Sequence, residues 1–212
     1  PCAKKTFVEV VPRRCHRVKD YFYKKPNATM SPVQSPAEHV SSGPKLSVCI
    51  ICKNEADRLT TCLEAVRGLT DDIVVVDSGS DDDSVAVAER LGARVFFNAW
   101  HGYGPQKRFS EDCARNDWVL NLDADEVVTP ELVAEIQALM TTGPALAGYR
   151  LRILTVYPRK PGPRLWADFN NYVRLYDRRR MRFRDSPVHD TGDTKDQPVG
   201  QLEGTLVHFA SW

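Results

Sequence analysis

From residue 45 to residue 142 the hydrophobic positions switch between two periods. Leu46-Ser47-Val48-Cys49-Ile50-Ile51, Asp72–Asp77 and Arg94–Phe97 are short apolar runs rich in β-branched residues, as strands of a parallel sheet are when both faces are covered. Between them apolar residues recur every three or four positions. Glu55–Leu69 places Leu59, Cys62, Leu63 and Val66 on one helical face, and a second helix runs from about Asp83 to Leu91, stopped by Gly92. Residues 104–115 and 130–140 predict two more helices, on either side of a strand that ends at Asp123. Alternation at this spacing predicts a three-layer α/β fold with a largely parallel sheet. After Gly143 the pattern changes. Tyr149–Val156, Tyr172–Tyr176, Met181–Phe183 and Leu202–Val207 read as strands between Pro- and Gly-rich loops, a mixed β-rich extension that would build a second wall.

Residues 1–44 have no such period. Basic residues dominate the first part and Pro26–Pro44 is rich in Pro and Ser, so the segment reads as a disordered, solvated leader rather than a nucleic-acid-binding arm. Met30 offers a natural start, which would leave residues 1–29 outside the native chain. The globular domain is then 45–212, with halves 45–142 and 143–212, and a strand-like run just before Trp212 reads as a truncated carboxy terminus. The 212 residues carry a net charge of +1, and no apolar run is long enough to span a bilayer or serve as a signal core. Of six cysteines, Cys49 and Cys52 form a C-x-x-C inside a strand, where they face opposite ways. That argues buried, reduced thiols and a cytoplasmic protein.

Candidate chemistry gathers at strand ends, where open parallel sheets bind ligands. The first strand leads into Lys53-Asn54-Glu55, the second into Asp77-Ser78-Gly79-Ser80, and the fourth into Asp123-Ala124-Asp125-Glu126. In an extended segment Asp123 and Asp125 share a face, a cradle of hard oxygens suited to Mg²⁺ or Mn²⁺ with substrate phosphates as further ligands. A plain reading of the second loop is a cap for the following helix. No G-x-G-x-x-G follows the first strand and no P-loop motif occurs, which counts against NAD and against a P-loop ATPase.

The segments LSVCIICKNEADRLTTCLEAV, DDIVVVDSGSDDDSV, WHGYGPQKRFSEDCARNDWVLNLDADE and SPVHD, in this order, resemble the inverting, GT-A-type family 2 glycosyltransferases. Bacterial lipopolysaccharide-core members that add glucose to a heptose are especially similar. The resemblance implies a GT-A, Rossmann-like three-layer α/β/α fold and a UDP-sugar donor. It implies that Asp77 holds uracil or ribose beside Asn54 and Glu55, that Asp123 and Asp125 form a D-x-D meeting ribose, diphosphate and metal, and that Lys107 contacts the nucleotide. Arg108 replaces an Asn common among relatives.

Sugar transfer from a nucleoside diphosphate requires neutralising the leaving diphosphate and deprotonating an acceptor hydroxyl. Asp190, in Pro187-Val188-His189-Asp190, is the candidate base, where relatives more often carry Glu. His189 would orient that base or bind metal, and His208 is a further candidate ligand. Arg150, Arg152, Arg159, Lys160, Arg164 and Arg174 would face the acceptor, a lipid-linked saccharide, with peripheral association at the cytoplasmic face of the inner membrane. Trp166 and Tyr172 could stack on a sugar, and Arg178-Arg179-Arg180 reads as an exposed turn.

Overall fold

The computed structural model describes residues 43–157, 170–188 and 192–210. Most of the leader and the positions His189, Asp190, Arg159, Lys160, Arg164 and Trp166 lie outside these described residues.

The expected alternation is present. In chain order the amino-terminal half comprises β1 (Leu46–Cys52), α1 (Ala56–Val66), β2 (Ile73–Asp77), α2 (Ser84–Arg90), β3 (Arg94–Phe97), α3 (Tyr103–Cys113) and β4 (Trp118–Asp123). It continues through β5 (Glu126–Val128), α4 (Pro130–Thr142), β6 (Gly148–Val156), β7 (Asn170–Asp177), β8 (Arg182–Phe183), β9 (Gly192–Asp193) and β10 (Val199–Phe209). Helix α4 starts where its residues demand: Thr129 accepts from the Leu132 N–H, with Pro130 at the first helical position.

Eight strands form one sheet in the order β3-β2-β1-β4-β7-β6-β10-β5, and β8 pairs with β9 separately. Strands β3, β2, β1 and β4 are mutually parallel, whereas β7 opposes both β4 and β6, and β5 opposes β10. Helices cover both faces. Leu59, Leu63 and Val66 of α1, with Leu132 and Ile136 of α4, pack on Val48, Ile50 and Leu120. On the other face Phe109 and Cys113 of α3, with Tyr176 and Phe183, pack on Cys49, Ile51 and Val119. The layers are therefore α/β/α, and burial of each such side chain contributes about 1.5–3 kcal/mol. Cys49 and Cys52 sit in opposite cores as free thiols, as their spacing requires. Among the described residues no helix is long and apolar enough to cross a membrane.

One strand pairing was not foreseen. β4 stops at Asp123 and β5 begins at Glu126, yet β5 pairs with β10 at the far end of the sheet order. The five strands β4-β7-β6-β10-β5 therefore curl until the last returns to the end of the first. Ala124 and Asp125 are the seam of that closure.

Candidate active site

A cleft of about 400 Å³ opens above the carboxyl ends of the parallel strands. Ile51, Cys52, Lys53 and Glu55 line it from β1, Ser78 from β2, and Asp123, Ala124 and Asp125 from the seam; Trp100 and Tyr103 form its rim.

The chain turns at Ala124, and Asp123 and Asp125, which both line the cleft, meet different partners. Asp123 Oδ1 accepts from Lys107 Nζ at 2.8 Å and Oδ2 from Arg174 Nη2 at 3.1 Å. Burial works to raise its pKa, but Lys107 and then Arg174 outweigh it and hold the carboxyl well below the usual carboxylate range. Glu126 accepts from the Asp123 N–H at 2.9 Å and from Arg174 at 3.1 Å, and burial pushes its pKa up to about 7. Asp125 instead faces His208 of β10, with Oδ2 at 3.2 Å from Nε2. That contact raises the imidazole pKa against the opposing effect of burial. The other ring nitrogen lies 3.5 Å from Thr155 Oγ1.

Lys107 lies beneath Asp123. It is fully buried, its ammonium donating to Asn121 at 2.8 Å as well as to Asp123, with the Phe183 ring 5.1 Å away. It has no exposed surface, and its visible role is to hold Asp123. Arg174 is a correction: at 3% exposed it is buried and does not lie on the acceptor-facing surface expected for it. Arg152 does lie outside, paired with Glu203 at 2.8 Å, and Arg178–Arg180 form the expected turn.

The β1 and β2 loops are laced together. Asp77 is 4% exposed, and its carboxylate accepts from the N–H groups of Gly79 and Ser80, at 2.8 and 3.0 Å, and from the Ser80 hydroxyl. Burial acts to raise its pKa, and these bonds lower it overall. Asn54, at φ 55°, accepts from Asp81 N–H through Oδ1 and donates its own N–H to Ser80. Asp82 accepts from Ala56 and Ser84, capping the starts of α1 and α2 together. Of these groups Glu55 reaches the cleft, paired with Arg58 at 2.9 Å; burial raises its pKa more than Arg58 lowers it. The loop thus contributes helix caps through Asp82, and Asp77 braces the turn that follows Ser78.

The segment leading to His189 and Asp190 is pinned beside the cleft. The N–H groups of Tyr103 and Gly104 donate to the carbonyls of Pro187, at 3.2 Å, and Ser186, at 3.0 Å. A Cβ on Gly104 would lie 2.1 Å from the Arg184 carbonyl oxygen, and one on Gly102 2.3 Å from Pro187 Cα. Two glycines at a helix start, where glycine disfavours helix, were the available sign that another backbone approaches there.

Among the described residues no group of three or more His, Cys, Asp or Glu is disposed to hold a metal ion. Asp125 and His208 supply an oxygen and a nitrogen at one point. Two protein ligands fit a cation that keeps waters and takes phosphate oxygens from its substrate.

The model of the family described as "Glycosyl transferase family 2" matches residues 47–194. An uncharacterized glycosyltransferase of Rickettsia conorii is 40% identical over 152 residues, covering 71% of this chain and 54% of the relative. The lipopolysaccharide core biosynthesis glycosyltransferase LpsC of Rhizobium meliloti is 32% identical over 177 residues, covering 77% of this chain and 63% of the relative. The chain spans about half the length of the curated relatives it matches first. Glucosyl-3-phosphoglycerate synthase from Mycobacterium tuberculosis, solved with Mn²⁺, UDP and glucosyl-3-phosphoglycerate, is 23% identical with a TM-score of 0.44, covering 56% of this chain and 46% of that one.

Proposed function

This chain belongs to glycosyl transferase family 2, and from that premise we propose that it moves a sugar, glucose, from a UDP-sugar to a saccharide acceptor of the lipopolysaccharide core with inversion. Its α/β/α layers are the GT-A fold of that family. The observation that carries the reading is the seam itself. Asp123, Ala124 and Asp125 form the floor of a cleft at the strand ends, with His208 brought onto Asp125 from the last strand. LpsC supports the choice of acceptor, which would be lipid-linked and reached at the inner membrane face.

Asp125 and His208 would hold Mg²⁺ or Mn²⁺, which when bound neutralises the leaving diphosphate. Asp123, with both oxygens already hydrogen-bonded, is held rigid and ionised at the floor. Each carboxylate oxygen has a second lone pair, so it can still accept from a ribose hydroxyl. Ser78 and Lys53 offer the other polar groups on the nucleotide side. Asp190 is the proposed base and His189 its orienting partner; both assignments rest on the sequence. The acceptor proton would pass to the Asp190 carboxylate as the hydroxyl oxygen attacks the anomeric carbon and the diphosphate oxygen leaves.

Radiolabelled transfer from UDP-glucose to isolated core saccharide, with and without Mg²⁺ or Mn²⁺, tests this. Metal-dependent labelling is expected. UDP binding without turnover would leave a nucleotide-sugar-binding piece of a longer enzyme, and labelling of polyprenyl phosphate instead would replace the acceptor.

A further inference from the structure

Trp100 and Tyr103 belong to no role so far. Each is 46% exposed at the cleft rim, and their rings meet edge to face with centroids 5.0 Å apart. Large aromatics left this open on a polar cleft are poised for a flat partner. The edge contact fixes the plane of the indole before anything binds.

We infer that Trp100, braced by Tyr103, is the stacking platform for the nucleobase of the donor, and that it serves any base equally. The inference rests on the nucleotide-sugar reading above. Placement across the sheet argues for a base over a sugar ring. The loop that carries Trp100 is tied to the end of β2, since Asn98 N–H donates to the Asp77 carbonyl at 3.0 Å. The diphosphate belongs with Asp125 and His208 at the end of β4. β2 and β4 are separated only by β1, so the two points lie about two strand spacings apart, roughly 10 Å. A ribose bridges such a gap, and the base then falls on the rim that Trp100 occupies. Among the described residues that line the cleft, the rings are those of Trp100 and Tyr103. Stacking is indifferent to base identity because every base has a π-face. Discrimination among bases must therefore come from edge contacts such as those of Lys53 and Ser78.

The test is calorimetric titration with UDP, GDP and TDP, each with Mg²⁺, and with pyrophosphate and Mg²⁺ alone, on the unaltered chain and on Trp100→Ala, Trp100→Phe and Tyr103→Ala. Trp100→Ala should weaken all three nucleotides by the same factor, roughly 5- to 100-fold. Pyrophosphate binding should not change, Trp100→Phe should recover most of the loss, and Tyr103→Ala should lose less. Thermal melts matching the parent's would confirm that the variants are folded. Equal UDP affinity in parent and Trp100→Ala overturns the inference while leaving the donor reading intact, as does a loss confined to acceptor saturation. A factor that differs tenfold between UDP and GDP overturns the base-general role. If the unaltered chain binds none of the nucleotides, both readings fall.

Discussion

Replacing Lys107 by Met separates the structure's account of this residue from the one its sequence position implied. The ammonium is fully buried and donates to Asn121 and Asp123, both at 2.8 Å. Met keeps most of the stem volume but removes the charge, while the Asp123 carboxylate keeps its ion pair with Arg174 at 3.1 Å. Breaking one partner out of a buried pair costs about 3–5 kcal/mol. Arg174 stays in place, so the lower end, about 3 kcal/mol, is expected. For a domain of this size each kcal/mol moves Tm by about 2–4 °C, which predicts a fall of about 6–12 °C. Urea or thermal unfolding of Lys107→Met beside the parent measures it, and Asp123→Asn in the same background should add little further loss because the two are coupled. A nucleotide contact would behave oppositely, since losing a charge-assisted hydrogen bond to ligand costs about 1.5–3 kcal/mol of affinity and no stability. A variant that melts within about 2 °C of the parent while UDP affinity drops tenfold would refute the buried-strut account.

Asp125→Ala should abolish metal-dependent UDP binding by calorimetry with an unchanged far-UV spectrum; unaltered affinity would remove it from the cation site. Asp190→Asn should bind UDP-sugar normally and lose transfer by roughly two orders of magnitude or more, and near-normal turnover would move the base elsewhere. The His208 pKa is raised by Asp125, so in metal-free protein their contact stabilises fully below the ordinary value near 6.5 and fades as pH rises through the raised one. Melts at a series of pH values should show that decline in the parent and not in His208→Gln. Gly104→Ala drives a Cβ into the Arg184 carbonyl and should cost about 1–3 kcal/mol of stability, where an unchanged Tm would mean the 184–187 segment is not pinned.

The parallel half was legible because its strands and helices bury one-sided patterns that period alone reveals: Leu59, Cys62, Leu63 and Val66 face the core as their spacing requires. What the sequence concealed were charges that become interior only once the sheet curls. In β7, Val173 and Leu175 alternate with Arg174 as in a half-exposed strand, yet residues 173–177 are all buried. Lys107 sits among polar neighbours on α3, and nothing local distinguishes a buried strut from a ligand contact. The strand's end at Asp123 was read correctly, but the pairing of the next residues with β10 at the far edge of the sheet was not legible locally. The cleft at the strand ends was nonetheless readable from residue type and position, and the contact between Asp125 and His208 was not.

The seam has a temporal side. Asp125 and His208 stand 83 positions apart, and His208 reaches its place opposite Glu126 only after β10 has zipped between β6 and β5. Pairings of such long range are among the slower steps of folding. The parallel half can therefore assemble early while the contact between Asp125 and His208 is still unmade. On the proposed function, competence to bind the donor would become a readout of the final strand having docked.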